Sequence, residues 1–371
     1  MTIFRSLFSL FLALQVPLAE PQWKVAEPDF NWSFPQDHWA HSGYRTEWWY
    51  FTGHLASTED PGRRFGYQFT MFRIGLQPEP SQLDSKWATH SLIMAHAAIS
   101  DLSGQRHVFS EVLYREISLL GGFGTPGDRL IAWSLPPAGG GDRWELLWNG
   151  DAFDFQMSDP VRGIALNLST TPAKPLVLQG PNGYSRKGKR SSAASQYYSF
   201  TRLKTRGTLL MDGTRFQVEG VSWMDKEFGS NQLAENQVGW DWFSLQLDAG
   251  QEIMLYHLRD RSGASDFSRG TWVFETGKAR YLKPEEWSVQ VTGHWTSPAT
   301  GAVYPARWKL TLGDVQYEII PLLAEQENRS RLVLDLYYWE GAVSVLNFAG
   351  EKIGQGYVEL TGYGTNNRPP V

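Results

Sequence analysis

Apolar residues along this chain recur at every second position, not at every third or fourth. Phe243, Leu245 and Leu247 would share one face of an extended segment, with Ser244 and Gln246 on the other. Asp248-Ala249-Gly250 follows as a hairpin turn. Trp308-Leu310-Leu312, Leu332-Leu334-Leu336 and Val358-Leu360 repeat the alternation. With 36 Gly and 20 Pro, turn punctuation is dense, and no long segment carries a helical period. The pattern predicts an all-β chain of antiparallel strands, which must stack or close into barrels to hide their edges.

One stretch of the pattern occurs twice. Glu47-Trp-Trp-Tyr-Phe-Thr-Gly-His-Leu55 leads through a Gly-containing turn into Gly66-Tyr-Gln-Phe-Thr-Met-Phe-Arg73. A fainter copy, Gly239-Trp-Asp-Trp-Phe-Ser-Leu-Gln-Leu247, leads into Gln251-Glu-Ile-Met-Leu-Tyr-His-Leu-Arg259. A repeat of such long period points to one structural unit used twice. A length of 371 residues agrees with two domains. The boundary is placed after Trp223–Ser230, so that the second unit begins at residue 231. Pro136–Asp142 and the basic run Arg186–Ser192 read as surface loops. For the basic run, capture of an anionic ligand head is the alternative.

The first 19 residues resemble a cleavable export signal. Arg5 precedes the apolar run Leu7–Leu14, and Pro17-Leu18-Ala19 offers a cleavage site. The expected location is therefore the periplasm or the exterior. No stretch is long and apolar enough to predict a membrane-spanning helix. The chain has no cysteine, which removes disulfides, thiol catalysis and cysteine-held zinc. A formal net charge of −5 argues against nucleic acid as the partner. Seventeen Trp, 15 Tyr and 20 Phe supply rings for cores and for the walls of an apolar pocket.

Several familiar chemistries lack their motifs. There is no Gly-x-Ser-x-Gly elbow, no His-Glu-x-x-His, no phosphate-cradling Gly-x-x-x-x-Gly-Lys and no dinucleotide fingerprint. No metal or cofactor is expected. Polar groups among rings remain. Asp225, Lys226 and Glu227 lie between Trp223 and Phe228, where lost hydration would raise a carboxyl's pKa and the adjacent lysine would lower it. Charges on a strand-end turn facing water are the competing reading of that segment. Glu47 lies near His41 and Arg45 in sequence and, if buried, needs a partner. His90, Leu92, Met94 and His96 would share one strand face, as in a cavity wall.

Six ordered motifs carry a resemblance across nearly the whole chain after residue 26. They are His41…Glu47-Trp-Trp-Tyr-x-Thr-Gly, His96-Ala-Ala-Ile-Ser-Asp, Gly183-Tyr-Ser-Arg-Lys-Gly, Gly220-Val-Ser-Trp-Met-Asp-Lys-Glu-Phe-Gly-Ser, Gly239-Trp-Asp-Trp-Phe and Gly356-Tyr-Val-Glu-Leu-Thr-Gly-Tyr. The chain resembles the AttH/carotenoid-1,2-hydratase-like family, often labelled secreted hydrolases. The resemblance implies two lipocalin-like antiparallel β-barrel domains in tandem, over 27–230 and 231–371, with a pocket in or between them. It also implies a hydrophobic ligand such as an isoprenoid, polyketide or lipid-like molecule. Two departures stand out. The carotenoid hydratases read Asp-His-x-Trp-Gly where this chain has Asp225-Lys-Glu-Phe-Gly229, and Tyr-x-Asp where it has Tyr256-His-Leu258. Carotenoid hydration itself is therefore not expected.

Three functions fit these expectations, the last of them a structural or interaction module with no ligand-sized cavity. The first is acid–base or templated chemistry of a hydratase or cyclase kind, with no serine nucleophile. Asp225, Glu227 and Glu47 are its candidate acids, and His41, His96 and His257 would orient groups or move protons. Trp48, Trp49, Tyr50, His90, Lys187, Trp223, Lys226, Trp240, Trp242 and Tyr256 are the candidate ligand contacts. The second is non-catalytic carriage of lipids or hydrophobic metabolites. Oligomeric state is left open.

Overall fold

The structure, a computed structural model, describes residues 22–365 and 367–369. The export-signal segment lies outside the described residues. The first sheet holds thirteen strands: β1 (Thr46–Ser57), β2 (Arg64–Gly75), β3 (Ser91–Asp101), β4 (Arg106–Arg115), β5 (Gly121–Phe123), β6 (Leu130–Ser134), β7 (Trp144–Trp148), β8 (Phe153–Asp159), β9 (Ile164–Pro172), β10 (Val177–Leu178), β11 (Tyr184–Arg186), β12 (Ala194–Met211) and β13 (Thr214–Gly229). The second holds ten: β14 (Gln237–Leu247), β15 (Glu252–Asp260), β16 (Ser265–Val273), β17 (Ala279–Leu282), β18 (Trp287–Thr296), β19 (Val303–Leu312), β20 (Val315–Pro321), β21 (Glu327–Arg329), β22 (Tyr337–Leu346) and β23 (Lys352–Leu360). All the strand pairs of both ladders are antiparallel. The helical pieces among the described residues are three short 3-10 turns.

The two sheets share a topology around the repeated hairpin. The first runs β4-β3-β2-β1-β13-β12-β9-β8-β7-β6-β5, with β10 and β11 beside β12. The second runs β17-β16-β15-β14-β23-β22-β20-β19-β18, with β21 beside β22. In each, the aromatic hairpin (β1–β2 or β14–β15) pairs with the sheet's last strand (β13 or β23). Each sheet curls around its own core, as a barrel wall does. One core gathers Trp49, Phe51, Phe69, Trp144, Phe155 and Met224 from strands spread along the ladder. The other gathers Phe243, Leu255, Tyr304, Trp308, Trp339 and Val358. The predicted all-β, two-barrel architecture is what the chain forms.

A third cluster lies where the outer faces of the sheets meet. Tyr50, Tyr197, Trp223, Trp242, Tyr256 and Tyr357 pack there, with Tyr50 edge-on to Trp242 at 5.3 Å between ring centroids. Strand alternation explains the arrangement. On β1, Trp49 and Phe51 point into the first core, while Tyr50 faces the second sheet. Polar groups also cross this seam. His54 Nε2 meets the Gly356 carbonyl at 2.8 Å, and Gln246 donates to the Thr201 and Ser222 carbonyls at 2.8 and 3.0 Å.

One expected strand is absent. Leu332-Leu334-Leu336 alternates as a strand would, yet the segment is a turn between β21 and β22, with Leu334 90% exposed. The hydroxyl of Ser330 accepts from the Leu332 and Val333 amides at 3.1 and 2.8 Å, and that local bonding displaces a ladder.

The seam tolerates no bulk at Gly66. A Cβ there would lie 2.5 Å from the Tyr357 hydroxyl and 2.9 Å from Ala342 Cβ, both on the second sheet. Valine favours strands by propensity, so any loss in Gly66→Val must come from the seam. Urea unfolding is expected to show Gly66→Val less stable by about 1–3 kcal/mol.

Candidate functional site

Near one end the seam opens into a cavity. The first sheet lines it with alternate residues of four adjacent strands: Thr46, Trp48 and Tyr50 from β1, Gln68, Thr70 and Phe72 from β2, Met94 and His96 from β3, and Asp225 and Glu227 from β13. The second sheet answers with Trp240 and Trp242 from β14, Tyr256 and Leu258 from β15, and Glu359 from β23. Most of the surface facing the cavity is apolar, with many aromatic rings, and polar side chains are interspersed among them.

The two walls correspond residue by residue. Tyr50 pairs across the ladder with Asp225, and Trp242 pairs with Glu359. Asp225 in turn pairs with Ser199 of β12, and Glu359 with Glu340 of β22. The duplicated unit therefore places one carboxyl at the same position of each wall, and both face the same space.

These carboxyls are held differently. Asp225 accepts from Ser199 Oγ at 2.5 Å, from Tyr197 Oη at 2.7 Å and from Trp223 Nε1 at 2.7 Å. Burial nevertheless pushes its pKa up to about 7 against those donors. Glu359 accepts from Trp240 Nε1 alone, at 2.9 Å. Burial takes it up to about 7 as well, and the charges of Asp225 and Glu227 add to the effect. Glu340, beside Glu359 on the next strand, has no cationic partner among the described residues, and burial drives it well above the usual carboxyl range. Glu227 differs because it has a counter-ion, Lys187 Nζ at 2.7 Å, and also accepts from Ser195. Burial lowers the Lys187 ammonium, but Glu227 more than restores it. The Lys187 ammonium also lies 4.5 Å from the Tyr256 ring centre.

A charged plug sits behind this wall, on the inner side of β1 and β13. Glu47, fully buried, contacts the Lys226 ammonium, receives His41 Nδ1 at 2.7 Å and faces Arg73 Nε at 3.4 Å. Burial alone would raise the Glu47 carboxyl, yet Lys226, His41 and Arg73 together hold it well below the usual range. His41 bridges onward to Asp37 at 3.0 Å and stacks on Phe228 at 3.7 Å. The Lys226 ammonium lies 3.4 Å from the Trp49 ring centre. Burial pulls Lys226 below its ordinary value, but the contact carboxylate and the ring face favour its charged form. Glu47 thus pairs with Lys226 and Arg73, and Arg45 takes no part in the pairing.

The structure divides the residues singled out in the sequence. Asp225, Glu227, His96, Trp48, Tyr50, Lys187, Trp240, Trp242 and Tyr256 meet at the cavity, and Glu47 reaches its edge. Asp225 and Glu227 lie within β13 and are buried, not on a strand-end turn in water. Lys187 is buried too, although its neighbours Lys189 and Arg190 are exposed as a loop should be. Alternation turns Trp49 and Lys226 to the inner face of the first sheet. His41 belongs to the plug. Trp223 supports the cavity through its bond to Asp225. His90 sits just before β3, with its carbonyl accepting from the Leu76 amide at 2.8 Å. His257 is on the opposite face of its strand from Tyr256 and Leu258, against Trp287 at 4.6 Å and bonded to Ser268 Oγ at 2.7 Å.

Sequence reasoning missed Glu359, Tyr197, Gln68, Tyr338 and Glu340. Glu359 lay in the quoted Gly356–Tyr363 motif, and its place opposite Trp242 follows once β14 and β23 are paired. Among the described residues, no group of three or more His, Asp or Glu is arranged to hold a metal ion. No helix among them is long and apolar enough to cross a membrane.

The model of the AttH-like family matches residues 25–363. The crystal structure of an AttH protein from Nitrosomonas europaea superimposes with a TM-score of 0.80 at 31% identity, covering 92% of this chain and 99% of that one. Kievitone hydratase from Nectria haematococca superimposes with a TM-score of 0.65 at 13% identity, covering 93% and 98%. That second likeness shows a shared fold. No curated protein sequence matches this chain.

The elevated Asp225 pKa has a consequence for stability. Its folded value lies above its unfolded one, so its contribution is fully present below about 3.8 and is lost as pH rises through about 7. That interval corresponds to about 4 kcal/mol. Glu359 and Glu340 add falls of the same sign, so urea unfolding of wild type and Asp225→Asn, at pH 4 and at pH 8, is expected to show a fall in both that is smaller in the variant by up to about 4 kcal/mol.

Proposed function

Because the chain belongs to the AttH-like family, and its outer sheet faces enclose one aromatic cavity with two facing carboxyls, we propose that it binds an apolar, unsaturated small molecule there and hydrates a carbon–carbon double bond. The observation that carries the reading is the pair Asp225 and Glu359, both pushed up to about 7 by burial. Groups with such values can give and take protons near neutrality. Kievitone hydratase, which shares the fold, is by its name a hydratase, and that supports the same class of reaction.

The hydrogen bonds support a division of roles. Three donors and the neighbouring Lys187 favour the anion at Asp225. Glu359 has one donor, and burial and the charges of Asp225 and Glu227 favour its neutral form, so it keeps the proton. The Glu359 carboxyl gives that proton to one alkene carbon, and the π electrons form the new C–H bond. The other carbon becomes cationic, facing the rings of Trp48, Trp240 and Trp242. Water adds to it as Asp225 takes a proton from that water. A proton then returns from Asp225 to Glu359, and the balance is alkene plus water to alcohol. Glu227, neutralised by Lys187, positions these groups.

A carrier function rests on the same cavity and needs no proton transfer. Native mass spectrometry of the exported protein, followed by solvent extraction, would supply the bound molecule for incubation in H₂¹⁸O. The product is expected to gain one ¹⁸O-labelled water, with a bell-shaped pH dependence centred near 7. Asp225→Asn and Glu359→Gln should each cut turnover by about 10²–10⁴-fold while binding persists. An extracted molecule returned unchanged by wild type, at every pH, would leave the carrier function standing. Export to the periplasm or exterior is proposed with it and is read out by the compartment in which the mature chain is recovered.

A further inference from the structure

His96 is 2% exposed and lines the cavity, yet its Nε2 has no partner. The rest of the ring is fixed. Nδ1 meets Tyr338 Oη at 2.7 Å, the ring stacks on Tyr338, and Phe72 and Phe109 close on it edge-on at 5.2 and 5.1 Å. Tyr338 Oη is itself bonded to Gln68 at 3.2 Å, which meets Asn328 at 3.2 Å. A chain of side chains from both sheets thus fixes the ring at the cavity wall and leaves one imidazole nitrogen unbonded. A buried polar atom with no partner is costly, and the cavity that His96 lines is adjacent space from which a ligand could supply one.

Its position relative to the acid centre follows from the ladder. His96 pairs with Thr70, Thr70 with Tyr50, and Tyr50 with Asp225. These four residues form one row on one sheet face, across three strand spacings, or about 14 Å from His96 to Asp225. Trp48, Phe72 and Met94 line the wall one step along the same strands.

The geometry points to an elongated ligand with an apolar body and a hydroxyl at one end, the hydroxyl seated on His96 Nε2 and the far end beside Asp225 and Glu359. A hydroxyl both donates and accepts, so it satisfies Nε2 in either ring tautomer. Burial pushes the His96 pKa down to about 3, which keeps the ring neutral and favours an uncharged oxygen over a carboxylate. This inference rests on the cavity being the ligand site, as proposed above, and adds the ligand's polar end and its length. His96 is a specificity residue, since the proton transfers belong to the other end of the row.

Binding of two matched pairs tests it. Farnesol is compared with the hydrocarbon lacking its hydroxyl, and 4-phenylphenol with biphenyl, using quenching of tryptophan fluorescence. Proteins are wild type, His96→Phe and His96→Gln, each checked by thermal unfolding. Wild type should prefer the alcohol about tenfold in at least one pair. His96→Phe should erase that preference, and His96→Gln should keep part of it. Equal affinity for alcohol and hydrocarbon in wild type would mean that water alone serves Nε2, and it would overturn the inference while leaving the apolar-ligand reading intact. A preference that survives both substitutions would overturn it too. Failure of all four molecules to bind would overturn both.

Discussion

Desolvation along the seam between the sheets sets the terms for everything at the candidate site. Strands β1, β13, β14 and β23 have no solvent face in this region, because one side enters a barrel core and the other meets the opposite sheet. Residues on the second side should therefore be apolar or fully bonded. Most are, as Trp242 and Tyr256 show. The exceptions are Asp225, Glu359 and Glu340, which lack a contacting cation. The cost of burying them is lowered by holding protons, so the seam stores proton affinity at one place. Glu227 shows what the alternative looks like: given Lys187, it becomes an ordinary buried ion pair.

The duplicated unit explains why two such carboxyls face each other. Each hairpin ends in an arginine bound to an acidic group of the neighbouring strand. Arg73 faces Glu47 in the first sheet, and Arg259 Nε meets Asp241 at 2.8 Å in the second. Each arrangement also sets a cation against a ring, Lys226 on Trp49 and Arg259 on Tyr363 at 3.8 Å. These plugs lie on the inner faces and fix the register of the hairpins. Register is what matters, because a slip by one residue would turn Trp48, Tyr50 and Asp225 away from the cavity.

The sequence alone made the β architecture legible, since period-two alternation and the repeated aromatic hairpin are local signals. The candidate acids were also visible as carboxyls among rings. Alternation could have gone further. Trp48 and Trp49 cannot both face one cavity, nor can Lys226 and its neighbours Asp225 and Glu227. The face of a strand that counts, however, is decided by which sheet covers it. Here the cavity lies between barrels, so the residues turned out of the first core are the ones that line it. Glu359 stayed hidden for a related reason, because its role depends on the pairing of β23 with β14 and on a second sheet more than 130 residues from Asp225.

The departures from the carotenoid hydratase pattern take on a different meaning once their faces are known. Lys226 and Phe228 stand where that pattern has His and Trp, and both side chains point inward, to the plug. They change the support of the wall without touching the ligand space. Leu258 is another matter. It stands where the pattern has Asp, and it lines the cavity. Leu258 pairs across the ladder with Trp240, whose indole donates to Glu359. A carboxyl lost from β15 is thus matched by one on β23, on the other side of β14. Under the proposed reaction, a proton delivered from Glu359 arrives from a strand two places removed. The double bond it reaches would lie correspondingly displaced in the ligand from one served by a carboxyl on β15.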